Sequence, residues 1–352
     1  MNLLLQWKTS LRDKGKYIYP LPTCGGGLGR GGNLLNKIIF WLNNARVYSL
    51  PITLLNCLVI FIFAIKQGGN PYLGLLAILG SGLVHMATNL IDDYFDYKIL
   101  IKDENYINSA QNCKCLYLKS GQATTKDLKI AICTFLGIAS IIGGILFFLS
   151  GYYVALLALI GLLIALTYQK LSLKGLGEVA IIIAYGPLLY EGIYYVMTSK
   201  FSWEVLLLSL ACAMFTNTIL YAHMLMDFDG DECSHKKTLC RYLGTKTNAL
   251  NFILFFYITA FILISCLSYK TNNYWYLLGL LTIPQIIDLY ISLNVFNQDK
   301  TQTPKIYPWH YPLDNWKEVS KTPDAPFYFR FFYSRNIVTN FMLLICLAIL
   351  IK

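Results

Sequence analysis

The stretch NLIDDYFDYK at residues 89–98 sets an amide and three carboxylates, Asn89, Asp92, Asp93 and Asp96, at positions i, i+3, i+4 and i+7. On a continuous helix that spacing brings all four to one face. A second acidic stretch, MDFDGDE at 226–232, repeats the i, i+4 relation with Asp227 and Asp231, while Asp229 points elsewhere or lies where the helix gives way to a loop. Hard oxygen ligands without histidine or thiolate suit Mg²⁺, which keeps several waters and takes one or two carboxylates plus substrate phosphates. Two such ladders facing across a cavity suggest Mg²⁺ bridging a diphosphate, with Asn89, Asp92, Asp93, Asp96, Asp227 and Asp231 as the metal-facing side chains. The remaining negative charge needs cations. Lys98 follows the first cluster, Lys236, Lys237 and Arg241 follow the second, and Lys170 and Lys174 lie between them.

Both clusters close apolar runs of membrane-spanning length. The 352 residues are 56% hydrophobic and 15% aromatic, with a mean hydropathy of +0.51, far from an ordinary globular domain. Runs long enough for a ~30 Å hydrocarbon core recur at about 47–66, 72–92, 128–150, 152–169, 176–197, 204–226, 248–269, 274–296 and 335–351. Only helices satisfy the backbone there, so the expected class is an all-α integral membrane protein of nine spans. All of the 29 Lys and Arg except Lys66, Lys200, Lys270 and Lys352 fall on the N-terminal side of this arrangement. The positive-inside rule makes that side cytoplasmic. The net charge of +10 then describes loops facing anionic lipid or an anionic substrate, not a nucleic-acid site.

Spans two and six both run outward to inward, so their acidic ends meet the same membrane face. Four spans separate them, which predicts two four-helix halves, one carboxylate ladder in each, and a final helix. Acids near hydrocarbon cost about 2.5–3.5 kcal/mol each at a helix centre, and such clusters are functional by default. A solvated helix end explains either cluster alone; it accounts less well for the repeated spacing.

Ten cysteines are scattered with no CxxC pair, and neither Cys113 with Cys115 nor Cys233 with His235 supplies the four ligands of a zinc site. The run CGGGLGRGG lacks a following GK[ST], so residues 1–45 read as a flexible cytoplasmic arm ahead of a membrane domain over 46–352. Residues 297–334 read as a long cytoplasmic insertion in that domain.

These residues resemble the UbiA superfamily of intramembrane prenyltransferases, whose fold has nine transmembrane helices and two aspartate-rich motifs. Its first motif, Asn-x-x-x-Asp with a further Asp, matches Asn89, Asp93 and Asp96. Its second, Asp-x-x-x-Asp leading into a basic segment, matches DFDGDECSHKKTL with Asp227, Asp231, Lys236 or Lys237, and Thr238. NARVYSLPITLLN at the first span and LGEVAIIIAYGPLLYEGIYYVMTS at the fifth are similar to the branch that prenylates dihydroxynaphthoate in menaquinone synthesis. The segment after the first motif, the short YQKLSLKGLGE linker and the 297–334 insertion depart from that branch.

The resemblance implies a Mg²⁺-dependent transfer from a polyprenyl diphosphate donor to an aromatic acceptor within membrane lipid, dihydroxynaphthoate in the branch named, with 4-hydroxybenzoate, homogentisate, a haem or chlorophyll precursor, or a glycerol phosphate as the alternatives. Asp93 and Asp227 would hold the metal, Lys170 the leaving group, and Tyr168 the allylic cation, with Tyr94, Phe95 and Tyr221 as other shielding aromatics. His85 and His223 lie one turn before Asn89 and Asp227, placed for a base or an acceptor contact. Arg46 is placed to contact an acceptor carboxylate, and Asp288 is a further candidate for acceptor binding. Glu191 is expected to be interfacial or paired. A cation-coupled transporter is the rival from another class.

Overall fold

The computed structural model describes residues 34–101, 115–233 and 237–352. Among them it contains helices, turns and no strand, and nine helices are long and apolar enough to cross a membrane. They are preceded by α1 (Leu34–Asn44) and run as α2 (Leu50–Lys66), α3 (Pro71–Leu100), α4 (Thr125–Ser150), α5 (Tyr153–Ser172), α6 (Gly177–Thr198), α7 (Trp203–Met226), α8 (Lys246–Thr271), α9 (Tyr274–Gln298) and α10 (Ala325–Ile351).

Local chemistry sets many of these ends. Thr124 and Asp127 form a reciprocal capping box at the start of α4, and Ser202 and Thr245 cap α7 and α8 by accepting from Glu204 N and Asn248 N. The helix expected to stop near residue 92 continues to Leu100, so the first acidic cluster is helical throughout. The ninth span begins at Ala325, ten residues before the expected bound, which shortens the insertion to a strap over 299–324. Pro326 in the first turn needs no amide donor there, and Phe329, Phe332 and Tyr333 already face the core.

The two-half organisation is visible in the packing. The most extensive helix pairings are α3 with α4 and α7 with α8, equivalent partners four spans apart, and α10 lies against α2, α7 and the start of α9. In α7 67% of the apolar window is buried against 11% in α4 and α5, so α7 is the central post and α4 and α5 meet lipid. Inside the expected N-terminal arm, α1 buries Phe40 and exposes Leu34, Leu35 and Ile38, as a helix lying in the interface does. The CGGGLGRGG run lies outside the described residues.

α6 is broken at Ala184–Leu188, where the helix widens, Gly186 leaves helical geometry (φ −99°, ψ −113°) and Pro187 follows. At Gly186 α6 touches α7: a Cβ built there meets Ala213 Cβ at 3.0 Å and Ser209 O at 3.3 Å. Gly186→Val is expected to lower stability by about 1–3 kcal/mol because backbone and a short side chain must move apart. A denaturation midpoint in detergent equal to that of the parent protein would contradict this.

Candidate active site

The first acidic ladder lies on the last turns of α3. Asn89 donates from Nδ2 to Ala45 O at 3.0 Å and to Ser49 Oγ at 3.3 Å, tying α3 to the start of α2. Asp93 is 2% exposed, pairs through Oδ1 with the Arg46 guanidinium and accepts at Oδ2 from Tyr117 Oη at 3.1 Å. Asp92 lies 3.7 Å from the same guanidinium. Arg46, expected to meet an acceptor carboxylate, is instead the counter-ion of the ladder. Burial works against its charge, but Asp93 and Asp92 outweigh this and hold it protonated. The loop before α4 folds back to make this possible: Cys115 Sγ donates to Asp93 O at 3.1 Å, and Tyr117 packs edge-on against Phe40 and Trp41 of α1.

Asp96, also buried, accepts from Gln169 Nε2 at 2.8 Å, which brings the end of α5 to the ladder. Half-buried Tyr168 and exposed Lys170 flank that glutamine. Lys98 is exposed and lies over the Tyr94 ring, 4.5 Å from its centroid, with Lys129 at 5.4 Å. It therefore shares the Tyr94 face rather than that of Asp93 and Asp96.

The second ladder straddles the end of α7. Asp227 caps the helix with Oδ2 3.6 Å from His223 Nδ1, and a new helical turn over Phe228–Cys233 begins with Asp231 N donating to Asp227 O at 2.9 Å. Asp231 is buried and accepts from Thr238 Oγ1 at 3.2 Å. Asp229 leaves this face for Lys246 at 2.7 Å and Lys300 at 2.9 Å. Burial raises its pKa, but those two ammonium groups prevail and hold it below the usual carboxylate range. Lys237 is exposed, and Lys236 lies outside the described residues.

One short linker contacts the first ladder and ends in the electrostatic reach of the second. It leaves α5 at Gln169, beside Asp96, and turns at Gly175, whose φ of +73° and closeness to the Tyr242 ring (2.5 Å from a built Cβ) admit only glycine. It enters α6 at Glu178, which is 2% exposed, has no hydrogen-bond partner at Oε1 and lies in the field of Asp231. The two acidic clusters thus flank a common segment at one end of the bundle.

Residues 53–310 match the profile of the UbiA prenyltransferase family. The chain belongs to that family. It is accordingly a prenyltransferase and a multi-pass membrane protein, and the transporter alternative falls. Among relatives of this UbiA protein, the 1,4-dihydroxy-2-naphthoate octaprenyltransferase of Haemophilus influenzae is 24% identical over 229 residues, 61% of this chain and 73% of that one. Its Escherichia coli counterpart is 25% identical over 267 residues, 70% of this chain and 82% of that one. A UbiA homolog from Archaeoglobus fulgidus, solved bound to GPP and Mg²⁺, superposes with a TM-score of 0.53 at 13% identity, covering 87% of this chain and 99% of that one.

The donor set of the UbiA site fits a hard divalent cation. Asp93, Asp96 and Asp231 are buried carboxylates offering oxygen only, and each is here compensated by a cation or hydrogen-bond donor. Among the described residues no three Asp, Glu, His or Cys side chains close around one point. An ion would therefore complete its shell with water and substrate phosphate oxygens, the usual habit of Mg²⁺.

Sequence reasoning missed Gln169, Glu178, Tyr117 and Tyr185. Glu178 was legible as an acid at the start of a span, whereas the others signal nothing until the helices are assembled. Two further expectations change. Asp288 is not free for an acceptor, because its Oδ2 takes Trp309 Nε1 at 3.2 Å, His310 Nε2 at 2.7 Å and Tyr333 Oη at 3.2 Å, pinning the strap to α9. Tyr221 is fully buried, donates to Ala249 O at 2.7 Å and packs on Phe252 and Phe256, so it is a core residue of the α7–α8 pair. Glu191 is paired as expected, accepting from Ser202 N at 3.4 Å.

Proposed function

We propose that this protein transfers a polyprenyl group from its diphosphate to a hydroxylated aromatic acceptor of the dihydroxynaphthoate type, in quinone biosynthesis of the menaquinone kind. The observation that carries the reading is the pair of carboxylate ladders flanking one linker at a single end of an apolar bundle. Such a site takes a diphosphate head there and leaves the isoprenoid tail among the helices. The acceptor class is supported by the naphthoate octaprenyltransferases above, which match over most of their own length. We read residues 46–352 as one membrane domain, 1–45 as its cytoplasmic extension, and the inner membrane as its location with the N-terminus cytoplasmic.

Asn89, Asp92, Asp93, Asp96, Asp227 and Asp231 would hold Mg²⁺, whose chemistry there is to neutralise charge on the departing diphosphate. Arg46, Lys170, Lys237 and Lys236 would meet the remaining phosphate oxygens. Tyr168, beside Gln169, presents a π-face to the allylic cation, an attraction worth ~2 kcal/mol when desolvated. The electron-rich ring then attacks the allylic carbon.

The test uses membranes containing the protein, geranylgeranyl diphosphate and a panel of aromatic acceptors, with and without EDTA. Prenylated dihydroxynaphthoate that vanishes with EDTA and returns with Mg²⁺ is expected. Product from a different ring alone overturns the acceptor, and EDTA-insensitive product overturns the metal reading.

A further inference from the structure

A second polar chain lies deeper in the bundle than the acidic ladder and is joined to it. Ser49 Oγ donates its single proton to Arg46 O at 2.7 Å and receives Asn89 Nδ2 at 3.3 Å. His85 Nε2, 2.7 Å from the same oxygen, must therefore carry a hydrogen and donate it. That leaves Nδ1 bare, facing Tyr185 Oη at 2.8 Å and Thr53 Oγ1 at 3.0 Å, with those two hydroxyls 3.1 Å apart.

Thr53 is one turn further along α2 than Ser49, so the basic nitrogen points toward the membrane interior and the protonated one toward the ladder. His85, Tyr185 and Ser49 are all only half-buried, so the chain is not sealed in the packed core. Tyr185 reaches it because α6 breaks at Ala184–Leu188, and widened turns of this kind cluster at functional sites. Arg46, the counter-ion of the ladder, sits at the other end of the same chain.

Resting on the prenyl-transfer reading, we propose that His85 is the proton acceptor for the hydroxyl of the aromatic acceptor and that Tyr185 is the residue that positions it. A ring whose carbon attacks the allylic centre at the ladder places its activating hydroxyl within a ring's width, and His85 is one turn below Asn89. The hydroxyl proton moves to Nδ1, and Tyr185 Oη, displaced from that nitrogen, donates instead to the oxygen of the same hydroxyl and so holds the ring in place. The ring electron pair forms the new C–C bond as the allylic C–O bond breaks, and that pair leaves on the diphosphate. The dienone so formed becomes an aromatic phenolate when the alkylated carbon loses its hydrogen as a proton to water, or its carboxylate as neutral CO₂, the bonding pair staying in the ring. The phenolate then takes the proton back from Nδ1, which restores the neutral base with its Nε2 hydrogen still donated to Ser49 Oγ.

The experiment measures kcat, donor KM and acceptor KM of the purified protein with geranylgeranyl diphosphate and dihydroxynaphthoate, for the parent, His85→Asn and Tyr185→Phe. Asparagine keeps a hydrogen-bond acceptor near the place of Nδ1 but cannot take the proton. His85→Asn is expected to lower kcat about 10²-fold with donor KM unchanged. A ring bearing an electron-withdrawing group, whose hydroxyl ionises unaided, should recover much of that loss, which a structural role would not allow. Tyr185→Phe should raise acceptor KM several-fold, about 1 kcal/mol for one lost hydrogen bond, and leave donor KM alone. Near-parental kcat in His85→Asn, or a donor KM that rises in step with the loss, overturns the proposal. A parent protein that releases diphosphate but prenylates no aromatic ring would instead overturn the functional reading beneath it.

Discussion

Asp93→Asn is expected to lower kcat by about a thousandfold, at the upper end of what one electrostatic contact in a water-poor site contributes. Asp93 is the most enclosed acid of the first ladder, and both of its oxygens are engaged, one by Arg46 and one by Tyr117. Asparagine preserves its size and one acceptor but removes the charge that a cation and the diphosphate beyond it require. The fold should tolerate the change, because Arg46 keeps Asp92 at 3.7 Å. Asp92→Asn is expected to be milder, about tenfold, since that carboxylate sits at the rim. The check is single-turnover product formation at saturating Mg²⁺, alongside the denaturation midpoint. Activity above a tenth of the parental rate in Asp93→Asn would remove this residue from the metal site.

The second large effect concerns stability. Arg330 is completely buried, and its guanidinium donates to three backbone carbonyls: Ser292 at 2.7 Å, Pro326 at 2.7 Å and Gln302 at 3.2 Å. It also stacks over Phe296 at 4.9 Å. One side chain thus joins α9, α10 and the strap. Arg330→Ala leaves those carbonyls without their donors and opens a large cavity, a loss of about 3 kcal/mol or more. Arg330→Met, which keeps the packing on Phe296, separates the two causes. Arg330→Lys should fall between, because an ammonium cannot span three carbonyls as a planar fork does. Denaturation in detergent ranks them; a methionine variant as stable as the parent would show that the carbonyls find other donors.

The spans and the shared face of the first ladder were legible because both rest on local rules. A membrane-length apolar run allows one secondary structure, and carboxylates at i, i+3, i+4 and i+7 share a face wherever the helix goes. What was not legible depends on contacts between distant segments. Arg46 and Asp93 are 47 residues apart, Gln169 and Asp96 are 73, and Tyr185 and His85 are 100. Nothing in the spacing of an isolated glutamine or tyrosine foretells such a partner. Asp288 shows the converse error: an acid inside a span suggested a ligand, and the donors that satisfy it arrive from a strap whose packing no periodicity reveals.

That strap has a practical use. Its ends are fastened, by Lys300 to Asp229 beside the second ladder and by Trp309 and His310 to Asp288, while residues 301, 302, 303 and 305 between them are exposed. A fluorophore carried on Thr303 would sit on a short tether held at both sides. It would report on the loosening of the Lys300 clasp without touching any residue of the site, giving an optical readout of loop rearrangement in the bilayer.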